Sequence, residues 1–562
     1  MIKVALIFPN RYHLAMSNLG FQRVYELFNQ AAGVVCERAF LPDPDEEEEY
    51  LRTGSRLITL ESQSQVADFH LIAFSVSFES DYLNLVRILK LAGLEAGSRD
   101  RAANDPLVLA GGVAVMLNPE PLADFVDLFL LGEAEVILTP FLEAVKRLNH
   151  EDVAKPALLR QLGMELPFAY VPSGYHPVYD EHGGLIAFEP EPGFPDRIRS
   201  SKLTEFGRRP PVKSVILTPD TEFKSMPLVE IGRGCGFSCR FCAAGYIYRP
   251  PRHLDQETCY DTVIPLARDH PRLGLVSPDV AGIPGIAHLG QAILQAGGKF
   301  SVSSVRADGL PPELIQALLD SGDQVMTIAP DAGSERLRRV INKHLTEEQI
   351  LAGAEKIIAA GILNLKLYFM IGLPTEEKED VEALTALVKK IKHRLLKVYQ
   401  GKKRIGTITV SLNCFVPKPF TPFQWTAFAS VKELKDRISM IKKSLEREPN
   451  VRVNSDLPKW TYVQALLARG DRRVGRIMAA AAAYDGDYVR AFKESPVNPD
   501  YFVSRERAED ELFPWDFIDH GLTKSFLWRE YQAALAGKET PWCDVGKCLR
   551  CGVCRPDQED LA

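Results

Sequence analysis

The sequence predicts an α/β protein with two successive sheets of parallel strands, followed by a mainly helical region. Two observations predict this arrangement. Short apolar runs alternate with helical patterns over residues 1–150 and again over residues 223–425, which is typical of parallel strands covered by helices. Residues 426–535 instead show mainly the apolar spacing of helices. We expect a doubly wound, Rossmann- or flavodoxin-like domain first and a partial (β/α)6 barrel second.

In the first region, the predicted strands are the apolar runs at residues 3–8, 70–76, 106–110 and 126–131. Between them, residues 19–30 and 82–91 have helical apolar spacing. Ligands of doubly wound sheets bind beyond the carboxyl ends of the strands. The small or polar residues found there are candidate cofactor contacts: Ser75, Ser77, Glu79, Gly111 and Gly112.

Residues 151–222 contain many prolines and short strand-like pieces at 169–171 and 185–188. Proline removes a backbone donor and interrupts regular structure. This segment is predicted to be an irregular linker that can pair with a sheet edge. The acidic stretch at residues 43–49 is predicted to be a solvated loop.

In the second region, the predicted strands are residues 228–231, 273–279, 299–306, 325–330, 364–370 and 408–412. Barrel chemistry concentrates at the carboxyl ends of the strands. Residues at or near those ends are candidate site residues: Ser277, Asp279, Ser304, Arg306, Asp331, Glu335, Gly372 and Pro374.

The densest chemical signal is a C-x3-C-x2-C run after the first predicted barrel strand, formed by Cys235, Cys239 and Cys242. Three thiolates on one loop can each bind one iron of a 4Fe–4S cluster, which leaves the fourth iron without a protein ligand. Such an open position is typical of a reactive metal site rather than a structural one. Three buried or zinc-bound thiols are the alternative.

A second cysteine group lies in the tail, residues 536–562, and consists of Cys543, Cys548, Cys551 and Cys554. A zinc ribbon would separate two C-x2-C pairs by a long spacer, and this group has no such spacer. Its compact spacing is like that of bacterial ferredoxins. It predicts an auxiliary iron–sulfur cluster, with zinc as the alternative.

Composition restricts the class of protein. The chain has 562 residues, 46% of them hydrophobic, and a net charge of −7, so no overall basic field indicates nucleic acid binding. No apolar run approaches the ~18 residues that a membrane span needs. The ten cysteines form two tight groups plus Cys36, Cys259 and Cys414, which does not suggest a disulfide framework. We expect a reduced, cytoplasmic protein whose three single cysteines are buried.

The cysteine triad, with Phe241 before its third member, resembles the radical S-adenosylmethionine superfamily. The runs at residues 327–336 and 372–375 resemble the branch that includes tRNA methylthiotransferases and cobalamin-dependent enzymes. The resemblance implies that the open iron binds the amino and carboxylate groups of S-adenosylmethionine. It also implies cofactor contacts from Ser277, Asp279, Ser304, Arg306, Glu335, Arg336 and Gly372. Asp331 stands where Glu is usual, and Ser277-Pro-Asp279 replaces the common G-G-E.

Residues 1–150 resemble the cobalamin-binding domain that precedes the radical domain in many such enzymes. The resemblance lies in residues 74–79, 109–113 and 131–135. The histidine signature D-x-H-x-x-G of other cobalamin proteins is absent. His13 follows the first strand, but Arg11 replaces the Asp and Met16 the Gly, so a surface or cap role is expected for His13. A domain that binds no cofactor is the alternative.

These resemblances imply a cobalamin-dependent radical enzyme that reductively cleaves S-adenosylmethionine, removes a hydrogen atom from an unactivated carbon and then transfers a methyl group. Alternatives are a cobalamin-dependent cyclase or rearrangement enzyme, an enzyme that modifies RNA or a ribosomal component, and an iron–sulfur sensor without turnover. Expected partners are a reductant such as flavodoxin or ferredoxin and a substrate that is a small molecule, an RNA or a ribosomal component.

Overall fold

The structure is a computed structural model that describes residues 1–150, 153–399 and 405–554. Residues 151–152 of the predicted linker and 555–562 of the predicted tail lie outside the described residues. The strands are β1 (Ile2–Phe8), β2 (Val34–Phe40), β3 (Leu71–Ser75), β4 (Leu107–Gly111), β5 (Leu128–Leu130), β6 (Ala169–Tyr170), β7 (Tyr175–Tyr179), β8 (Leu185–Pro190), β9 (Ile198–Arg199), β10 (Leu228–Glu230), β11 (Gly232–Arg233), β12 (Arg252–His253), β13 (Leu273–Val276), β14 (Phe300–Val302), β15 (Val325–Asp331), β16 (Asn364–Ile371), β17 (Ile408–Cys414), β18 (Val451–Ser455) and β19 (Ile518–Asp519).

The helices are α1 (Tyr12–Met16), α2 (Leu19–Gln30), α3 (Pro44–Thr53), α4 (Tyr82–Leu91), α5 (Val113–Leu117), α6 (Ala134–His150), α7 (Lys155–Glu165), α8 (Ala244–Ile247), α9 (Gln256–Asp269), α10 (Ile286–Gln295), α11 (Pro312–Asp320), α12 (Glu335–Val340), α13 (Glu347–Ala360), α14 (Lys378–Val398), α15 (Val431–Leu445), α16 (Pro458–Arg469), α17 (Val474–Ala483), α18 (Tyr488–Glu494), α19 (Asp500–Val503) and α20 (Lys524–Leu535). No helix among the described residues is long and apolar enough to cross a membrane.

The chain divides into two compact units, and neither is one continuous segment. Unit 1 comprises residues 1–204, 214–225 and 463–520, and unit 2 comprises residues 205–213, 226–462 and those from 521 onward. The predicted division into a linker and a separate helical region therefore differs from the observed one. Residues 426–535 are shared between the two units because part of this segment packs onto each sheet.

Unit 1 contains a sheet with the strand order β2-β1-β3-β4-β5-β6. The first five strands are parallel and β6 is antiparallel to β5. This order is the flavodoxin-like one, which confirms the doubly wound prediction. Val4, Ala5, Leu6 and Ile7 of β1 are at most 1% exposed, as expected for a parallel strand covered on both faces.

Two features of unit 1 differ from the prediction. β2 was not expected, and residues 44–49 form part of α3 rather than a loop, with Asp43 as its N-cap. Asp43 and Glu46 make a capping box there, and Pro44 occupies the first turn, where its missing N–H does no harm. Helix α3 has no buried residue, so only the solvation of the stretch was predicted correctly.

Unit 2 contains two parallel sheets, β10-β13-β14 and β15-β16-β17-β18. An isolated parallel bridge between Val305 and Ile328 links the first sheet to the second. The strands follow one another in chain order with helices between them, which confirms the partial barrel. The seventh strand, β18, extends the barrel beyond residue 425, where the prediction ended it.

Candidate functional site

The loop that carries the first three cysteines lies in unit 2 between β11 and the short helix α8. Strand β10, which precedes it, pairs with β13 in the barrel sheet. At Gly234 the backbone has a φ of +79°, and a Cβ there would lie 2.7 Å from the Tyr248 carbonyl oxygen. Only glycine accommodates both conditions, so Gly234 allows the chain to turn tightly just before Cys235.

The three cysteines of this loop are free thiols. Burial raises the pKa of Cys235 to about 12, and the neighbouring Cys239 and Cys242 add to the effect. Burial also raises the pKa of Cys239 to about 11, although Lys343 opposes it, and it raises the pKa of Cys242. Thiols that burial keeps neutral become ligands when a metal supplies positive charge and releases their protons.

Within the described ranges, no three His, Cys, Asp or Glu side chains form a group that could hold a metal ion. A 4Fe–4S cluster does not need such a group, because each thiolate binds a different iron. Three thiols on one loop therefore suit a cubane with one iron that lacks a cysteine ligand.

A buried ion pair lies beside these thiols. Lys343 Nζ is 2.5 Å from Asp331 Oδ2, and the two residues are 6% and 8% exposed. Burial lowers the pKa of Lys343, but Asp331 and Cys239 outweigh that effect and raise it overall. Asp331 was a sequence candidate, whereas Lys343 was missed. The sequence offers one indication of Lys343, which is its position shortly after the apolar pair Val340-Ile341.

The structure places Ser277 and Asp279 beside the cysteine loop. A Cβ on Gly232, three residues before Cys235, would lie 2.8 Å from Ser277 Oγ. The Asp279 N–H donates to Ser277 Oγ at 3.2 Å. Burial raises the pKa of Asp279, and this carboxylate acts electrostatically on Cys235.

Arg306 reaches the cysteine loop, whereas Ser304 is exposed beyond the end of β14. The Arg306 guanidinium lies 4.2 Å from the ring centroid of Phe237, which stands between Cys235 and Cys239 in the sequence. It also forms an ion pair with Asp308 at 3.0 Å and donates to the Lys343 carbonyl oxygen at 3.0 Å. Arg306 thus connects the end of the first barrel sheet to the buried Lys343 segment.

Glu335, Arg336 and Gly372 have contacts that the fold itself accounts for. Glu335 accepts a hydrogen bond from the Glu347 N–H, at the start of α13. Arg336 donates to the Thr375 carbonyl oxygen at 2.6 Å and pairs with Asp380.

At Gly372 the φ is +80°, and a Cβ would lie 2.8 Å from a methyl group of Leu434. Its N–H donates to Glu376 at 2.6 Å. Pro374, two residues on, is buried. These contacts fix the turn after β16, and a role in cofactor binding stays a prediction for all four residues.

The four tail cysteines also belong to unit 2, and all are free thiols. Burial raises the pKa of Cys543, and Cys551, Cys554 and Cys548 all contribute. Arg550 Nε donates to Cys548 Sγ at 3.3 Å. The Thr523 N–H donates to the Cys551 carbonyl oxygen at 3.0 Å, which ties the tail to the start of α20. Cys543 is thus close enough to the other three tail thiols to feel their charge, and Cys548 accepts a hydrogen bond from a cation.

In unit 1, two candidate polar residues lie beyond the carboxyl ends of β1 and β3, where the strand order reverses. Ser77 Oγ accepts a hydrogen bond from Asn18 Nδ2 at 3.0 Å. Glu79 is 4% exposed and accepts from Gln464 Nε2 at 3.2 Å. Phe78, between them, is 61% exposed. Ligands of doubly wound sheets bind at this switch point, so these three residues stay candidate ligand contacts.

Asp81 is a buried acid at the same strand ends that was missed from the sequence. Burial raises its pKa to about 7, and Glu79 adds to the effect. Asn10, which follows β1, donates from its side chain to Asp81 Oδ1 at 2.7 Å.

The two glycines at the end of β4 have separate explanations. Gly112 has a φ of +104°, and a Cβ there would lie 2.4 Å from the Val76 carbonyl oxygen. The close packing between the ends of β3 and β4 therefore accounts for this glycine, and no ligand is needed to explain it. Gly111 pairs with Ser75 in the sheet, and a Cβ would make an ordinary contact of 3.5 Å with the Leu130 carbonyl oxygen.

His13, which follows β1, lies at the surface. The side chain of His13 is 47% exposed, and its Nε2 lies 3.7 Å from Glu222. The three single cysteines, Cys36, Cys259 and Cys414, are buried, as predicted.

Polar side chains on one face of β16 and β17 were also missed. Lys366 and Tyr368 alternate with fully buried residues along β16 and stand opposite Thr409 and Ser411 of β17 in the sheet register. They are half-buried. Since successive residues of a strand point to opposite faces, these four share the face that the apolar core does not use.

The family profile described as "Radical SAM proteins, N-terminal" matches residues 20–172. The profile of the radical SAM superfamily matches residues 229–388. An uncharacterised protein of Methanocaldococcus jannaschii is 30% identical over 487 residues, which cover 85% of this chain and 91% of that protein.

Two further proteins are more distant. The tRNA-2-methylthio-N(6)-dimethylallyladenosine synthase of Mycolicibacterium paratuberculosis is 22% identical over 302 residues, which cover 49% of this chain and 54% of that enzyme. The radical S-adenosylmethionine methyltransferase TsrM from Kitasatospora setae, solved with cobalamin and a 4Fe–4S cluster, superposes with a TM-score of 0.51 at 13% identity. That match covers 88% of this chain and 100% of TsrM, and it shows a shared fold.

Proposed function

Because the chain belongs to the radical S-adenosylmethionine superfamily, we propose that it is an enzyme that reductively cleaves S-adenosylmethionine. The observation that carries the proposal is the loop of three half-buried thiols that follows the barrel strand β10, formed by Cys235, Cys239 and Cys242. These thiols would hold a 4Fe–4S cluster. When bound, that cluster supplies one electron, which splits S-adenosylmethionine into methionine and a 5′-deoxyadenosyl radical.

The residues around the loop prepare the site for a charged cofactor. The Lys343 ammonium is held beside Cys239 by its ion pair with Asp331, and it offsets part of the negative charge of a thiolate-bound cluster. Arg306 and Asp279 add one charge of each sign beside the same loop. The zwitterionic amino-acid part of S-adenosylmethionine needs partners of both signs. The half-buried polar face of β16 and β17, with Lys366 and Tyr368, is the candidate substrate-binding face.

Cobalamin is the second proposed cofactor, held by unit 1. The flavodoxin-like strand order supports it, and so does the shared fold with TsrM, which was solved with cobalamin. Ser77, Glu79 and the exposed ring of Phe78 would contact it at the switch point. When bound, cobalamin supplies a methyl group to a carbon from which hydrogen has been removed. Ring formation or rearrangement without methyl transfer is the alternative outcome.

The third proposed metal site is an auxiliary iron–sulfur cluster on Cys543, Cys548, Cys551 and Cys554, with zinc as the alternative. The hydrogen bond from Arg550 to Cys548 supports it, because N–H donors to sulfur are among the groups that tune iron–sulfur clusters. Replacing Cys551 by Ala and counting metal tests this site. About four of about eight irons should be lost, whereas unchanged iron with lost zinc would favour the alternative.

The proposed setting is the cytoplasm, with a reductant such as flavodoxin or ferredoxin as partner. The ten free thiols support a reducing compartment. The substrate is proposed to be a small molecule. Modification of RNA or a ribosomal component is a second candidate, which the similarity of half the chain to a tRNA-modifying synthase favours.

The decisive experiment is anaerobic reconstitution followed by reduction with dithionite in the presence of S-adenosylmethionine. We expect 5′-deoxyadenosine and methionine in the wild-type protein. Cys239→Ala should yield neither, whereas Cys36→Ala, which removes a buried thiol outside both groups, should behave as wild type. A protein with a full cluster that releases no 5′-deoxyadenosine would instead be a sensor.

Cobalamin binding has its own test. The absorption spectrum of the anaerobic protein should change when hydroxocobalamin is added, and the bound cobalamin should survive gel filtration. A protein that retains none would leave unit 1 as a scaffold for substrate binding.

A further inference from the structure

The two cysteine groups of unit 2 lie against each other. The Cys543 N–H donates to the Gly236 carbonyl oxygen at 2.8 Å, and Gly236 directly follows Cys235. A Cβ on Gly236 would lie 3.6 Å from the Cys543 carbonyl oxygen and 4.0 Å from its Cβ. One hydrogen bond thus joins the backbone of a tail cysteine to the peptide that follows a loop cysteine.

Arg249 makes a second connection between the groups. It is 3% exposed, and it donates to the Gly245 carbonyl oxygen at 2.6 Å and to Ser238 Oγ at 2.7 Å. Its side chain also hydrogen-bonds to Cys551. A buried guanidinium needs negative partners, and the sulfur of a metal-bound cysteine is one. Arg249 therefore contacts the triad loop and the tail at once.

Further contacts keep the tail in this position. Asn342 and Thr540 exchange two hydrogen bonds, at 2.8 and 3.2 Å, and Asn342 also donates to the Ser238 carbonyl oxygen at 3.2 Å. The rings of Trp542 and Phe237 meet edge to face at 5.1 Å. These contacts connect the residue before Cys543 with the loop between Cys235 and Cys239, so the tail is a fixed part of the triad site.

We propose that the tail site is the electron-input point of the enzyme, which passes single electrons to the cluster of the triad through the Cys543–Gly236 junction. This rests on the proposed auxiliary cluster. A low-potential donor protein of the flavodoxin or ferredoxin class is oxidised by one electron, and the triad cluster is reduced by one electron. No bond forms or breaks and no proton moves. Val545 and Leu549, which lie between the tail cysteines in the sequence, are 48% and 50% exposed and can meet the donor.

The test compares the full-length, reconstituted wild-type protein with the double variant Cys548→Ala/Cys551→Ala. Photoreduced flavodoxin and dithionite are the two reductants, and the reduced triad cluster is followed by its electron paramagnetic resonance signal in rapidly frozen samples. In the variant we expect the dithionite signal of the triad cluster to persist, while its reduction by flavodoxin slows by about tenfold or more. Cys36→Ala is the matched control and should be reduced at the wild-type rate. An unchanged flavodoxin rate in the double variant overturns the proposal.

A measurement on the wild-type protein alone covers the case in which the variant does not fold. The Cys543–Gly236 contact would place the two clusters close together. When both are reduced, each electron paramagnetic resonance signal should therefore be broadened by spin–spin interaction. Two independent, unbroadened signals would overturn the proposal.

Iron and zinc counts separate the two possible failures. About eight irons with an unchanged rate reject the electron path alone, whereas zinc in the tail rejects the auxiliary cluster together with the path. Release of 5′-deoxyadenosine is not needed for any of these readouts, so they are independent of the proposed activity.

Discussion

At the residue scale, both candidate sites contain charged groups that the fold has removed from water. In unit 2, Lys343 and Asp331 form a buried ion pair beside Cys239. In unit 1, Asp81 has a raised pKa because it is buried and close to Glu79. Such perturbed groups concentrate where proteins bind ligands. The sequence does not predict any of these environments, because each depends on which residues pack around the charged group.

The first prediction concerns the buried ion pair. Lys343→Met leaves the Asp331 carboxylate buried without its partner, so the free energy of unfolding should fall by about 3–5 kcal/mol. Anaerobic urea denaturation measures this loss. The double variant Lys343→Met/Asp331→Leu removes both charges and should recover most of the stability. If the double variant is as unstable as the single one, the pair is not what stabilises this region.

The second prediction concerns pH. The pKa of Asp81 is about 7 in the folded protein against an ordinary value of 3.8, so the folded state binds this proton more tightly than the unfolded state does. Its stabilising effect is complete below about pH 4 and is lost as the pH rises towards 7. Asp81→Asn should therefore raise the free energy of unfolding by about 1–3 kcal/mol at pH 8, and by much less at pH 5.

Urea midpoints at the two pH values check the Asp81 prediction. The exposed Asp124 provides the control, since Asp124→Asn makes the same chemical change at a carboxyl group that is not buried. A gain for Asp81→Asn that is the same at pH 5 and pH 8 would show that the carboxyl group does not titrate in this range.

At the element scale, strands and helices with a strong apolar pattern were predicted closely. Helices α2 and α4 have the predicted bounds, residues 19–30 and 82–91, and β1 begins one residue before its predicted start. The missed strands β2 and β18 mix charged or polar residues with apolar ones, because each is an end strand of its sheet. Their pairing with β1 and β17, rather than their own composition, makes them strands.

The third prediction separates two neighbouring glycines at the end of β4. Gly112→Ala places a Cβ 2.4 Å from a backbone oxygen at a positive φ, so it should reduce the stability of unit 1 by roughly 2–4 kcal/mol. Gly111→Ala makes only ordinary contacts and should leave stability within about 1 kcal/mol of wild type. Thermal denaturation followed by circular dichroism compares them. If Gly111 approaches cobalamin, Gly111→Ala should weaken cobalamin binding without loss of stability.

At the scale of the whole molecule, the chain returns to unit 1 after it has built the barrel. Asn118 donates its side-chain N–H groups to the carbonyl oxygens of Ala468 and Gly470, at 3.1 and 2.7 Å. Arg472 pairs with Glu120 at 3.0 Å. These buried contacts explain why residues 463–520 belong to unit 1, and they make the amino-terminal sheet dependent on a segment some 350 residues away.

The fourth prediction tests that dependence. Arg472→Gln leaves Glu120, whose side chain is 1% exposed, without its cation, so unit 1 should lose about 3–5 kcal/mol of unfolding free energy. Limited proteolysis should then cleave within residues 1–204 faster than in the wild-type protein. The Glu120→Gln/Arg472→Gln double variant should be cleaved more slowly than the single variant. Equal cleavage of wild type and Arg472→Gln would contradict this account.

The sequence by itself determined the fold class, the family and the two groups of cysteines proposed to bind metal, because these depend on local spacing. A C-x3-C-x2-C run and alternating apolar segments indicate the same local structure wherever they lie in the fold. The tertiary structure decided which distant groups meet: Lys343 beside Cys239, residues 463–520 against the amino-terminal sheet, and Cys543 on Gly236. Those contacts join positions that are about one hundred to several hundred residues apart, and they follow from how helices and strands pack, which no local pattern records.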